Sequence, residues 1–94
     1  MRSRRSATFI ALYNALPPMV QRAANKQFAL FKKDQNHPSL HRKIPQRLKN
    51  RPKSYIEVRV TLQYRAVAEA EGEDYFWIFI GAHADFDRFV DKRL

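Results

Sequence analysis

The chain has 94 residues, 45% of them hydrophobic and 13% aromatic, with no cysteine. That is enough apolar surface for one packed domain; it excludes a disordered tail, a disulfide scaffold and a thiolate metal site, and no apolar run approaches the ~20 residues that a membrane-spanning helix needs. The net charge of +9 is lopsided, with 13 Lys/Arg against one acid, Asp34, in residues 1–53, and five against eight in residues 54–94, so the basic half favours nucleic acid or an acidic protein as partner over a plain solvated surface, which mixes its signs.

Residues 1–6 are basic and are expected to fray as a tail, leaving a single folded domain over 7–94. No signal-type apolar region follows them, so a cytoplasmic location is expected. Phe9, Leu12, Tyr13 and Leu16 recur at helical spacing and predict a short amphipathic helix. Leu16-Pro17-Pro18 breaks it, because the residue before a proline is pushed out of the helical region. Pro17 or Pro18 then opens a second helix, whose first turn needs no amide donors. Val20, Ala24, Phe28 and Phe31 give this helix an apolar stripe that ends near Lys33.

Asp34 to Lys53 is long, very basic and punctuated by Pro38, Pro45 and Pro52. A wholly structureless loop of that length is unusual in a compact domain, so a short extended piece is expected near Leu40–Ile44. Three strands follow. In the first, Ile56, Val58 and Val60 alternate with Tyr55, Glu57 and Arg59, predicting one buried and one open face. The second covers Gln63 to Glu69. An acidic turn leads into the third, Tyr75–Ala82, which is apolar on both faces and hence central. Asp85 to Val90 predicts a closing helical turn that packs Phe86 and Phe89 on the sheet. The expected fold class is α+β: an N-terminal helical hairpin packed on a small antiparallel β-sheet, with a short C-terminal helix.

Few residues are suited to chemistry. His37 and His41 lie four apart, but Pro38 between them argues against a helix that would align them on a metal, and no metal or other cofactor is expected. No triad motif is present, and two glycines cannot form a phosphate loop. What remains is His37, His41, Lys43, Arg59, Arg65 and His83. Arginines on open strand faces suit phosphate, since the guanidinium is a planar fork that stays charged. Histidine moves protons near neutral pH. Together they suffice for attack of an RNA 2′-hydroxyl on the neighbouring phosphate. Plainer readings stand beside this one: His83 and Asp85 merely cap the following helix, Arg59 pairs with Glu57 or a C-terminal aspartate, and His37 only shapes its loop.

The order of these motifs resembles the RelE/ParE toxin superfamily. Phe9-x-x-x-Tyr13-x-x-Leu16-Pro17, Val20-Gln21 and Phe28-x-Leu30-Phe31 are similar to its opening helical hairpin. His37-Pro38-Ser39-Leu40-His41-x-Lys43 is similar to the stretch that follows in small RelE- or HigB-like toxins. Val58-Arg59-Val60, Tyr64-Arg65-Ala66, Trp77-Ile78 and Gly81-x-His83-x-x-Phe86 resemble the sheet and tail. The resemblance implies the toxin of a type II toxin–antitoxin pair, most simply a metal-independent, ribosome-dependent mRNA endoribonuclease. It implies an acidic antitoxin, the ribosome and mRNA as partners, and operator DNA only through the antitoxin complex. Arg59, Arg65 and His83 match positions of phosphate-binding and acid–base groups; His37, His41, Lys43 and Phe86 fall to substrate binding. The alternatives are a ParE-like toxin that binds DNA gyrase without chemistry, or an inactive relative. Two departures stand out: the family opens with an edge strand for which only Met1–Ala7 is available here, and Pro45–Lys53 has the look of an insertion.

Overall fold

Ser6 starts the first helix. Its side chain accepts from the Phe9 amide at 3.0 Å, and its own amide donates to Trp77 O at 2.9 Å, which ties the helix start to the central strand. The computed structural model describes all 94 residues. In chain order the elements are β1 (Arg2–Arg5), α1 (Ala7–Asn14), α2 (Pro18–Lys33), 3₁₀ turns at Pro38–Leu40 and Gln46–Leu48, β2 (Ser54–Arg59), β3 (Tyr64–Glu71), β4 (Asp74–Ala82) and α3 (His83–Arg93). Pro18 occupies the first position of α2, and Lys32 and Lys33 fall in its last turn, where the helix dipole favours cations.

The α+β class and the helical hairpin agree with the sequence expectation. Two particulars do not. The first residues are not a frayed tail: Arg2–Arg5 pair with Asp74–Trp77. This strand has no apolar side chain to betray it. It is held by backbone pairing, by Trp77 Nε1 donating to Ser3 Oγ at 2.8 Å, and by Arg4 stacked 5.5 Å over the Phe76 ring. Because β1 runs parallel to β4, the sheet is mixed rather than antiparallel, in the order β1-β4-β3-β2. The short C-terminal helix is present as expected and extends past the Asp85–Val90 turn to eleven residues, α3.

The sheet buries both faces, which explains why Tyr75–Ala82 reads as apolar throughout. One face carries Ile56, Val58, Ala66, Ala68, Trp77 and Ile80 under Phe9, Ala24 and Phe31 of the hairpin. The other carries Tyr55, Val67 and Phe79 under Phe86 and Val90 of α3 and Leu48 of the basic segment. A bulge lets β4 serve both: Val67 faces Phe79 but Ala68 faces Trp77, so Ile78 is the extra residue. Beyond the end of β1, α1 lies along β4 and Leu12 touches both cores.

The Asp34–Lys53 segment is ordered by short devices. Lys43 and Glu57 exchange backbone hydrogen bonds of 3.1 and 2.7 Å, the one ladder step formed by the expected extended piece. Within the insertion-like stretch Leu48 is fully buried, and Arg47 bonds Asp91 and Asp87 of α3. The Asp91 bond, with Asp87 assisting, holds the Arg47 guanidinium above its ordinary pKa.

Candidate functional site

Sheet register brings the candidate residues to one end of the molecule. Arg59 of β2 lies opposite Arg65 of β3, and Arg65 lies opposite Gly81 of β4. Two residues after Gly81, His83 is the first residue of α3, and its amide donates to Gln63 O at 2.7 Å. On the other side, the bridge of Lys43 to Glu57 sets His41 beside Arg59, with Nε2 3.2 Å from Arg59 Nη1.

His41 is held in an unusual backbone state. It closes the Pro38–Leu40 turn at φ 46°, a left-handed conformation rarely adopted by a non-glycine residue. That bend turns the chain from the 3₁₀ turn into the Lys43 bridge. Arginine always carries its protons, so Arg59 is the donor and His41 Nε2 the acceptor. The neutral His41 ring therefore carries its proton on Nδ1. Gln27 of α2 secures the same junction, donating to Arg59 O at 2.8 Å and Ser39 O at 3.2 Å. Arg59 Nε is buried without a partner, and neither Glu57 nor a C-terminal aspartate pairs with this arginine.

The remaining candidates divide sharply. Arg65 turns two of its three guanidinium nitrogens into the fold. Its Nη1 donates to the carbonyls of Thr61, Leu62 and Tyr64 at 2.7, 2.9 and 3.1 Å, and its Nε lies 3.6 Å from Glu57. It clamps the β2–β3 loop. Phe86 is 5% exposed with its ring 5.3 Å from Phe79, a core residue rather than a substrate contact. His37 shapes its turn, as Nδ1 accepts from the Ser39 amide at 3.2 Å. His83, by contrast, is exposed. Neither it nor Asp85 caps α3: the cap position is Ala82, and Asp85 pairs with Arg88 at 3.2 Å. Lys43 is exposed, its Nζ 3.6 Å from Glu57.

Sequence reasoning gave Glu57 no role of its own here. Strand alternation put it on an open face, but that face is covered by the basic segment and α3, leaving its side chain 4% exposed between Lys43 and Arg65. The available signal was that Glu57 is the only acid between Asp34 and Glu69, a stretch rich in cations. No three His, Cys, Asp or Glu side chains converge anywhere in the fold.

With this geometry in view, the family described as the ParE-like toxin domain matches residues 18–88. The chain belongs to that family. It is thus a toxin of a toxin–antitoxin system, with an antitoxin as the partner the family implies. The matched residues include the whole row His41, Arg59, Arg65 and His83. The fold is similar to the crystal structure of a copper-bound mutant toxin from Helicobacter pylori, with a TM-score of 0.61 over 90% of this chain and 97% of that one. At 16% identity that likeness speaks for the toxin fold alone. Among curated proteins no sequence matches this ParE-like chain. No helix is long and apolar enough to cross a membrane.

Proposed function

We propose that this toxin is an mRNA endoribonuclease acting on ribosome-bound messages, with the His41–Arg59 pair at its centre. The 3.2 Å contact between these two side chains carries the reading: it sets a proton-transfer group beside a fixed phosphate ligand. A substrate phosphate drawing the Arg59 guanidinium to itself releases His41 Nε2 to take the 2′-hydroxyl proton. The 2′-oxygen bonds to phosphorus and the bond to the 5′-oxygen breaks, giving a cyclic phosphate and a 5′-hydroxyl. His83, exposed at the same end of the sheet, supplies the proton to the leaving oxygen. Lys43 and Arg59 offset the charge that develops on phosphate. The chain's +9 charge favours a ribosomal or RNA target.

A second reading, a toxin that binds DNA gyrase without chemistry, is favoured by Arg65. Its Nη1 is held by the β2–β3 loop and its Nε by Glu57, which leaves only Nη2 of one of the three groups matched to nuclease positions. Expression from a repressed promoter, with mRNA 5′ ends mapped beside His41→Ala and His83→Ala, separates the two. Cuts in translated messages that vanish in both variants are expected. Growth arrest with intact messages and altered plasmid supercoiling would replace the nuclease by the gyrase reading. No arrest at all would remove both.

A further inference from the structure

Beside the outer edge of β2 a cleft of about 660 Å³ opens between the 36–44 segment and Ser54–Ile56. Its rim carries His37, His41, Arg42 and Lys43, and no acid lines it. Pro38, Ile44 and Ala70 give it an apolar side. Tyr55 also lines the cleft, yet its side chain belongs to the core under α3, whereas its neighbour Ile56 belongs to the core under the hairpin. What Tyr55 presents to the cleft is therefore its backbone.

The direction of that backbone follows from the ladder. In an antiparallel pair, successive residues send their N–H and C=O to alternate sides. Glu57 spends both outward on Lys43, and Tyr55, two residues earlier, faces the same way. A continued ladder would set Pro45 opposite Tyr55. Pro45 has no N–H to give, and its C=O accepts from Leu48 N at 3.0 Å instead. Tyr55 is left with one donor and one acceptor side by side, facing the cleft.

We propose that this cleft seats one unpaired nucleobase of single-stranded RNA, its edge read by the Tyr55 backbone. The inference rests on the RNA reading above and names a subsite for it. Base edges offer adjacent donors and acceptors, and sequence-specific RNA recognition targets such splayed-out bases. A peptide strand needs a repeating series of edge groups, and the Lys43 bridge closes this edge after a single pair. The cations around the cleft serve the flanking phosphates. Arg42 is oriented at the rim, Nη2 and Nη1 each giving one proton, to Tyr75 Oη and Gln35 Oε1 at 3.1 Å, with the guanidinium stacked 5.4 Å over the Tyr75 ring, so the second proton on each nitrogen remains for phosphate. The Ser39 amide donates to His37 Nδ1, so the neutral His37 ring keeps its proton on Nε2, a donor for ribose or phosphate.

The test is an amide-resolved NMR titration of the chain with AMP, GMP, CMP, UMP and ribose 5-phosphate. The Tyr55 amide is expected to shift with at least one nucleotide, which binds about 10-fold or more tightly than ribose 5-phosphate. Ala70→Phe, which fills the apolar side and touches no charge, is expected to abolish that difference while weak ribose 5-phosphate binding persists. Equal binding of nucleotides and ribose 5-phosphate, or a stationary Tyr55 amide, overturns the proposal. So does an acidic peptide that shifts Tyr55 when nucleotides do not. Should Ala70→Phe fail to fold, the wild-type comparison decides alone. Message cleavage is scored separately: cutting without nucleotide binding overturns the subsite only, and binding without cutting overturns the nuclease reading only.

Discussion

Replacing Arg65 by alanine separates a loop clamp from a phosphate ligand. The substitution removes the Nη1 donor shared by the Thr61, Leu62 and Tyr64 carbonyls. A hydrogen bond to a charged group contributes about 1.5–3 kcal/mol, and one nitrogen with two hydrogens serves at most two such acceptors, so with both at the weak end of that range about 3 kcal/mol is lost here. Glu57 also loses a partner at 3.6 Å and keeps only Lys43, whose side chain is 59% exposed. Breaking a buried pair outright costs about 3–5 kcal/mol; with Lys43 retained, about 1–2 kcal/mol is expected. The sum, about 4–5 kcal/mol, is a large share of the roughly 5–15 kcal/mol that holds a domain together. In urea the unfolding midpoint should fall by about 2 M for a slope of about 2 kcal/mol per M. Arg65→Lys should recover less than half, since a point charge cannot reproduce the fork. In a Glu57→Gln background, Arg65→Ala should cost about 1–2 kcal/mol less. An Arg65→Ala protein with an unchanged midpoint would refute the clamp and return Arg65 to the substrate.

Trp77→Ala should destabilise by about 3–5 kcal/mol, seen as a lower melting temperature. Its ring is 1% exposed and lies 5.0 Å from Phe28 and 5.4 Å from Phe31. Gly81→Ala should cost about 1–3 kcal/mol by denaturation, because the added methyl would meet Phe79 Cζ at 2.9 Å while that ring is pinned by Phe86 and Phe89; an unchanged midpoint would show that the ring gives way. Affinity for RNA or ribosomes should fall steeply as salt rises, read from binding isotherms at several ionic strengths, and a flat response would contradict a role for the basic half.

Much of the fold was legible because its layers follow simple periods. The Phe9–Leu16 spacing, the Leu16-Pro17-Pro18 break and the Ile56, Val58, Val60 alternation each carry one element in a handful of side chains. Arg2–Arg5 was not legible, since a strand held by backbone pairing and by Trp77 and Phe76 leaves no apolar pattern of its own. The site was half legible. Residue chemistry and the family resemblance pointed to Arg59, Arg65 and His83 at one end, and the register does bring the two arginines together. What each arginine bonds depends on contacts across loops, and those have no sequence period. Arg65 Nη1 is taken up by carbonyls three and four residues back, and Arg59 Nη1 meets a histidine that the Lys43 bridge and Gln27 bring near.

The most direct measurement is primer extension on a defined message in a reconstituted translation reaction, with purified wild-type chain, His41→Ala and Arg59→Ala, alongside a gyrase supercoiling assay on the same preparations. Cuts within the translated frame that require ribosomes and are lost in both variants, with gyrase unaffected, are the predicted result. An uncut message together with inhibited gyrase would contradict the nuclease and make this chain a binding toxin.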